Sequence, residues 1–459
     1  MKETYLKHYW LLYMEFMEVF KSLTYKNIPL PLLINFYQFI EETIKNDMYQ
    51  DSFGKNLKYN NFKKEEIQPF FEKFLPNNQT SKVDPEGLIV LNHDYIRFPA
   101  ETFKEHFTTS PSAILTRKKP RVSNDLGIPY HSLSDYQDLG DVHLETSIVK
   151  KAETIFSKHV NHIVFGNQFF KEKFKALIPT MIRLFNTIEK YLEMVSVKCL
   201  VVGTIEDINS RMLVILCRVK GIPSICMQHG LIMGEEAYLP VFTTKVAVYG
   251  YYEKDWYKER GTPESQVEII GHPRFDQIFT RKFPSKKELD STKINVLITT
   301  NHINQMMWVK VIKSLAKLPQ FNIIVKPHPW EVGKKKCTDY EELSSTYHSV
   351  NLILSRNVNL YDLFNNIDFV IQSASTVGLE AILFQKPIFI IKNPMYPYFD
   401  RMGKFNLDET EVVKTIIQFS KDKEMQKEMA NLRRRFIDQS YPQKLSGIKL
   451  VNLIKELTS

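Results

Sequence analysis

Short apolar runs, too short for helices and bounded by turn residues, recur along the chain with helical patterns between them. "GLIVLN" (87–92), "SAILTR" (112–117), "HIVFGN" (162–167) and "CLVVGT" (199–204) come first, followed by "KVAVYG" (245–250) and "VEIIGHPRFD" (267–276). After the charged stretch "TRKFPSKKELDST" (280–292) the alternation restarts with "INVLITT", "FNIIVKPHP", "NLILS", "DFVIQS" and "PIFIIK". Strands that are apolar on both faces and separated by helices call for a parallel sheet covered on both sides. Two such series in 459 residues, a length beyond which single cores stop growing, predict two doubly wound α/β domains.

The expected division is an N-terminal helical segment (1–80), a first Rossmann-like domain (81–279), a linker (280–292) and a second Rossmann-like domain (293–459) that includes the charged terminal helices. The N-terminal "MKETYLKHYWLLYMEFMEVF" is aromatic, but Lys7, Glu15 and Glu18 interrupt it, so it reads as an amphipathic helix rather than a signal peptide or a spanning segment. Its aromatics also suit docking on a membrane surface. The four cysteines, Cys199, Cys217, Cys226 and Cys337, show no CxxC pairing and suit a reducing cytosol. A net charge of +9 favours anionic company without choosing it.

The chemistry-bearing residues gather at strand exits, where open parallel sheets bind their ligands. Pro327 cannot donate to a ladder, so the strand "FNIIVK" stops there and leaves Lys326 and His328 at its exit. "DFVIQSASTVGLEA" ends a strand in Ser373, Ser375 and Thr376, and starts a helix carrying Gly378 and Glu380. Capping hydroxyls and the positive end of that helix make a phosphate seat, and Glu380 could accept from ribose hydroxyls. In the first domain, Gln228, His229 and Gly230 follow a strand, and Glu235 and Glu236 stand in the loop beyond them. Glu206, Asp207 and Arg211 follow "CLVVGT". The catalytic candidates are therefore Glu206, Asp207, His229, Glu235 and Glu236, one acid serving as general base, with Gln228, Gly230 and Arg211 on the acceptor side. Asn92, His93 and Asp94 are weaker candidates for acceptor contact, and "IIGHPRFD" reads as a His-Pro site or a hinge. There is no GxxxxGK[ST], no GxGxxG after a strand, no HExxH and no metal-spaced Cys/His cluster, so neither a cofactor nor a bound metal is expected.

The QHG turn, G-H-P-R-F-D, K-P-H-P and S-x-S-T-V-G-L-E-A, in that order over roughly residues 199 to 400, resemble bacterial surface-polysaccharide glycosyltransferases of GT-B fold. The resemblance is strongest to capsule-type transferases that use CMP-linked sialic acid or Kdo. It implies two domains around a central cleft and inverting, metal-independent transfer. It gives His328, Ser373, Ser375 and Thr376 the donor phosphate, and sets an acidic base in the first domain without selecting one. The implied partners are a nucleotide sugar and a glycan or lipid-linked glycan acceptor, in the cytoplasm beside the anionic inner face of the membrane, and no nucleic acid. UDP-sugar 2-epimerases and CDP-glycerol glycerophosphotransferases are similar alternatives, as is a non-catalytic nucleotide-binding component of an export complex. The epimerases' paired-Gly, paired-Glu loop is replaced here by "STVGLEA".

Overall fold

A computed structural model describes residues 2–59, 61–76, 84–120, 125–283, 292–301, 304–355 and 358–459. The chain divides into two compact units, one of Met1–His229, Gly234–Arg274 and Leu445–Ser459, the other of Gly230–Met233 and Phe275–Lys444. Of the expected linker, residues 284–291 lie outside the described residues.

The first unit holds a seven-stranded sheet of β1 (Leu88–Asn92), β2 (Ser112–Thr116), β3 (Tyr130–Ser132), β4 (Val197–Val202), β5 (Ser224–Met227), β6 (Lys245–Val248) and β7 (Val267–Ile269). Its order is β3-β2-β1-β4-β5-β6-β7 and every pairing is parallel. The second unit holds β8 (Ile294–Thr299), β9 (Phe321–Lys326), β10 (Val350–Leu352), β11 (Phe369–Gln372), β12 (Ile388–Ile391) and β13 (Asn406–Leu407), in the order β10-β9-β8-β11-β12-β13, again all parallel. Both sheets therefore reverse direction beside their first strand, between β1 and β4 and between β8 and β11. This is the doubly wound order, and it opens a crevice at the carboxyl ends of those strands. The α/β class read from the apolar runs is the one observed.

Three expectations need correction. "HIVFGN" is a turn rather than a strand. The His162 Nδ1 accepts from the Val164 and Phe165 amides, and both of these apolar side chains are buried, so the local cap and the core outweigh the strand propensity. The last helix, Ser446–Thr458, belongs to the first unit rather than the second, because Leu450, Leu453 and Ile454 on one helical face join the core formed by Ile89, Leu91 and Val201. The N-terminal helix Lys2–Phe20 is present, but it is not available to a bilayer through its aromatics. Tyr9, Trp10, Tyr13, Phe16 and Phe20 are all buried, against Phe36, Phe71 and Phe174 among others. Beyond it, the described residues up to 76 form short helices, single helical turns and a two-residue antiparallel ribbon, so the N-terminal helical segment is present. No helix among the described residues is long and apolar enough to cross a membrane.

Candidate functional site

In the second unit, β8 lies between β9 and β11, with Thr299 opposite Lys326 and Ile298 opposite Ile371. The exits of β9 and β11 thus stand two strand spacings apart, roughly 10 Å, on one edge. The Lys326 Nζ donates to the Ser355 carbonyl at 3.2 Å, and burial lowers its pKa. His328 is exposed and caps the turn Pro329–Gly333: its Nδ1 accepts from the Trp330 amide at 3.2 Å. A neutral imidazole has one N–H, so this bond leaves the proton on Nε2 and makes that nitrogen the donor.

The loop is fixed from below by Glu331, a residue the motif reading passed over. Its buried carboxylate accepts from the His328 amide (2.9 Å), the Thr300 hydroxyl (2.7 Å) and the Tyr340 hydroxyl (3.2 Å). The sequence signal was the capping-box spacing of His328 and Glu331. Across the edge, Ser375 caps the helix Thr376–Leu383, accepting from the Val377 amide at 3.2 Å. Ser373 is buried and donates its hydroxyl to the Ile391 carbonyl at 3.0 Å, so its proton is taken up by the sheet. Glu380 is buried within the helix. Gly378 is a packing requirement: a Cβ there would stand 2.6 Å from the Gln372 amide nitrogen and 2.7 Å from the Phe399 ring.

The first unit separates its candidates more sharply. Arg211, expected on the acceptor side, is buried and donates to the Ile205 carbonyl (2.9 Å), the Tyr13 hydroxyl (3.1 Å) and the Ile34 carbonyl, binding the N-terminal helix to the sheet. Glu235 is likewise internal, accepting from Trp10 Nε1 (2.7 Å) and from Arg260 (2.7 and 2.6 Å). Gln228 is buried, donating to Glu253 at 3.2 Å and accepting from the Tyr249 amide at 3.0 Å. Asp207 caps the helix Ile208–Val219 and pairs with Arg117 at 2.8 Å, and Asp94 pairs with the same arginine at 2.6 Å. All five of these candidate side chains are engaged in holding the fold, and the reason is local: caps, ion pairs and buried hydrogen bonds consume their lone pairs and protons. Gly230 opens the four-residue segment that clusters with the second unit.

Glu206, Glu236 and His229 are left as candidates. Burial raises the pKa of both acids; Asp207 adds to the effect on Glu206, and Glu235 and Glu206 add to the effect on Glu236. His229 is half-buried, with its ring stacked on Tyr238 (5.4 Å, 9° between planes) and tilted against Tyr95 (5.3 Å). Burial and the neighbouring guanidinium of Arg97 bring its pKa down from 6.5 to about 4, and Arg274 acts in the same sense. A hydrogen bond to the Gly203 backbone opposes this. Gly203 is obligatory at that point, because a Cβ would lie 2.2–2.4 Å from the Tyr95 and Ile96 backbone crossing over it.

Residues 302–400 match the family model described as capsule polysaccharide biosynthesis protein. The chain resembles the capsule-polysaccharide proteins. No curated protein sequence matches it. The crystal structure of UDP-GlcNAc 2-epimerase from Neisseria meningitidis bound to UDP-GlcNAc is 15% identical, with a TM-score of 0.52 over 81% of this chain and 98% of that one. The wall teichoic acid polymerase TagF (11% identity, TM-score 0.46, 86% and 93% coverage) and MurG from Acinetobacter baumannii (11%, 0.46, 80% and 99%) also match. The two parallel sheets, with the likeness to the epimerase structure, make the fold GT-B-like: two Rossmann-like units with an N-terminal helical segment. The matched family segment runs through the loops after β8, β9 and β11, so the capsule-type likeness and the crevice of the second sheet coincide in sequence.

Proposed function

We propose that the protein is a glycosyltransferase of capsule or surface-polysaccharide synthesis, taking its sugar from a nucleotide-activated donor on the second unit and passing it to a glycan acceptor on the first. The observation that carries this is the convergence of Lys326, His328 and the Ser375–Thr376 helix start on one edge at the strand reversal. Those groups suit a leaving phosphate: an ammonium, an Nε2–H donor and a helix N-terminus. The donor is then a CMP-linked acidic sugar, as the motif likeness implies, and transfer proceeds without a metal because these groups meet the developing charge. Activity should be unchanged in EDTA, and the product should carry the inverted anomeric configuration by NMR.

On the acceptor side the geometry favours His229 as general base. It is neutral at working pH, its N–H is directed at the Gly203 carbonyl, and its other ring nitrogen carries the lone pair. We place the reaction in the cytoplasm at the membrane's inner face, where basic surface rather than the buried helix aromatics would make contact.

A thermal-shift series with CMP, CDP, UDP and GDP tests the donor side. A nucleotide at 100 Kd stabilises the folded state by about 2.7 kcal/mol. A CMP preference supports the acidic-sugar donor, and no shift with any nucleotide overturns the proposal. The shared fold with an epimerase that binds UDP-GlcNAc favours a second reading, in which the sugar nucleotide is altered without an acceptor. UDP preference together with solvent proton exchange into UDP-GlcNAc would establish it.

A further inference from the structure

Arg97 of the first unit bonds a backbone carbonyl rather than a carboxylate. Arg97 follows β1 at the strand reversal and is exposed, and among the described residues no carboxylate pairs with it. Its Nη1 donates to the His229 carbonyl at 3.0 Å, and Arg274 donates to the same oxygen at 3.5 Å. Its guanidinium lies 5.6 Å from the centre of the Tyr95 ring, itself 52% exposed.

The backbone is bent to put it there. Tyr95 and Arg97 both adopt positive φ, 56° and 52°, which costs a side-chain-bearing residue of order 1 kcal/mol or more and persists where the surroundings impose it. The turn passes directly over Gly203, the residue whose backbone His229 bonds. Two arginines, a strained turn and an aromatic wall around one imidazole make a receptor for negative charge.

We propose that Arg97 binds an oxyanion, phosphate or carboxylate, carried by the acceptor, beside His229; this rests on the first unit being the acceptor side. The bound anion also tunes the base. His229 is faced by Arg97 and Arg274, by the Tyr95 and Tyr238 rings, and by His272 nearby. An anion seated on Arg97 offsets the cation that depresses the imidazole, so the base strengthens when the acceptor is in place.

The test is an NMR titration of the full chain labelled on histidine side chains, the His229 signal being identified from the His229→Asn variant. Wild type, Arg97→Gln, Arg97→Lys and His328→Ala are titrated with inorganic phosphate, and with acetate in a separate arm. Phosphate or acetate should raise the His229 pKa in wild type and equally in His328→Ala. Arg97→Gln should weaken the anion's effect about tenfold and raise the anion-free pKa, since a cation is lost, while Arg97→Lys keeps part of both. A response to phosphate alone assigns a phosphate-bearing acceptor, and a response to acetate as well extends it to acidic sugars. The proposal falls if Arg97→Gln responds as wild type does, or if His229 ignores both anions. It also falls if His328→Ala abolishes the response, which would put the anion on the donor seat and leave the donor assignment standing.

Discussion

Each sheet ends one strand in a histidine two positions past its last residue, His229 after β5 and His328 after β9, and the two rings make opposite hydrogen bonds to the backbone. His328 accepts a backbone amide at Nδ1, so its neutral ring presents a proton. His229 bonds the Gly203 backbone in the sense that raises its pKa, as donation to a carbonyl does, so its neutral ring presents a lone pair. Residue type and topological position are the same; the backbone group within reach decides whether the neutral imidazole presents a proton or a lone pair. Their settings differ as well. His328 is exposed on a loop anchored by one buried carboxylate, whereas His229 is half-buried between tyrosines, and burial together with Arg97 and Arg274 brings its pKa down to about 4.

The largest expected effect breaks that comparison on the base side. His229→Ala should slow turnover by a factor of about 10²–10⁴ while leaving the nucleotide-induced rise in melting temperature intact. His328→Ala should slow turnover by a factor of about 10²–10³ and should also shrink the nucleotide-induced rise. If both variants lose donor binding alike, the division of labour between the two rings is wrong. A third variant acts through the backbone: Gly203→Ala drives a methyl into the Tyr95 carbonyl and should destabilise the protein by about 1–3 kcal/mol in denaturant melts. Because the His229 hydrogen bond is displaced with it, Gly203→Ala should also change the acidic limb of the kcat/KM profile, which a purely structural defect would not.

Much of the architecture could be read from the sequence because a parallel sheet's strands are apolar on both faces, and that signal is local. Where the outcome depended on distant partners, it could not. "HIVFGN" has strand composition, but its histidine caps its own turn and the apolar pair sinks into an aromatic core supplied largely by the N-terminal residues and the long helix Gln168–Met194. Ser446–Thr458 carries no mark in its sequence of the sheet it will cover. At the site, strand-exit polar residues were easy to pick and hard to sort: Glu235 and Arg211 look like Glu236 and Arg97 until Trp10, Tyr13 and Arg260 are brought against them. Glu331 was within reach through its spacing from His328, whereas Arg97 follows a strand in "NHDYIR" with nothing local to single it out.

The smallest effect decides whether His229 or a carboxylate holds the acceptor's proton. Burial, with Glu235 and Glu206 nearby, raises the Glu236 pKa above its ordinary 4.5. A carboxylate whose folded pKa exceeds its unfolded one weakens the folded state wherever it must ionise, that is, as pH rises through the folded value, and has no such effect below about 4.5, where both states hold the proton. Glu236→Gln removes that burden, so its melting temperature should exceed that of wild type slightly at pH 8 and the gain should vanish by pH 4. Turnover should stay within a few-fold of wild type, because in this scheme the acid only crowds the loop. A variant slowed about a hundredfold or more, with the stability gain intact, would transfer the base from the imidazole to Glu236, and the contrast between the two histidines would then reduce to one phosphate donor and one structural ring.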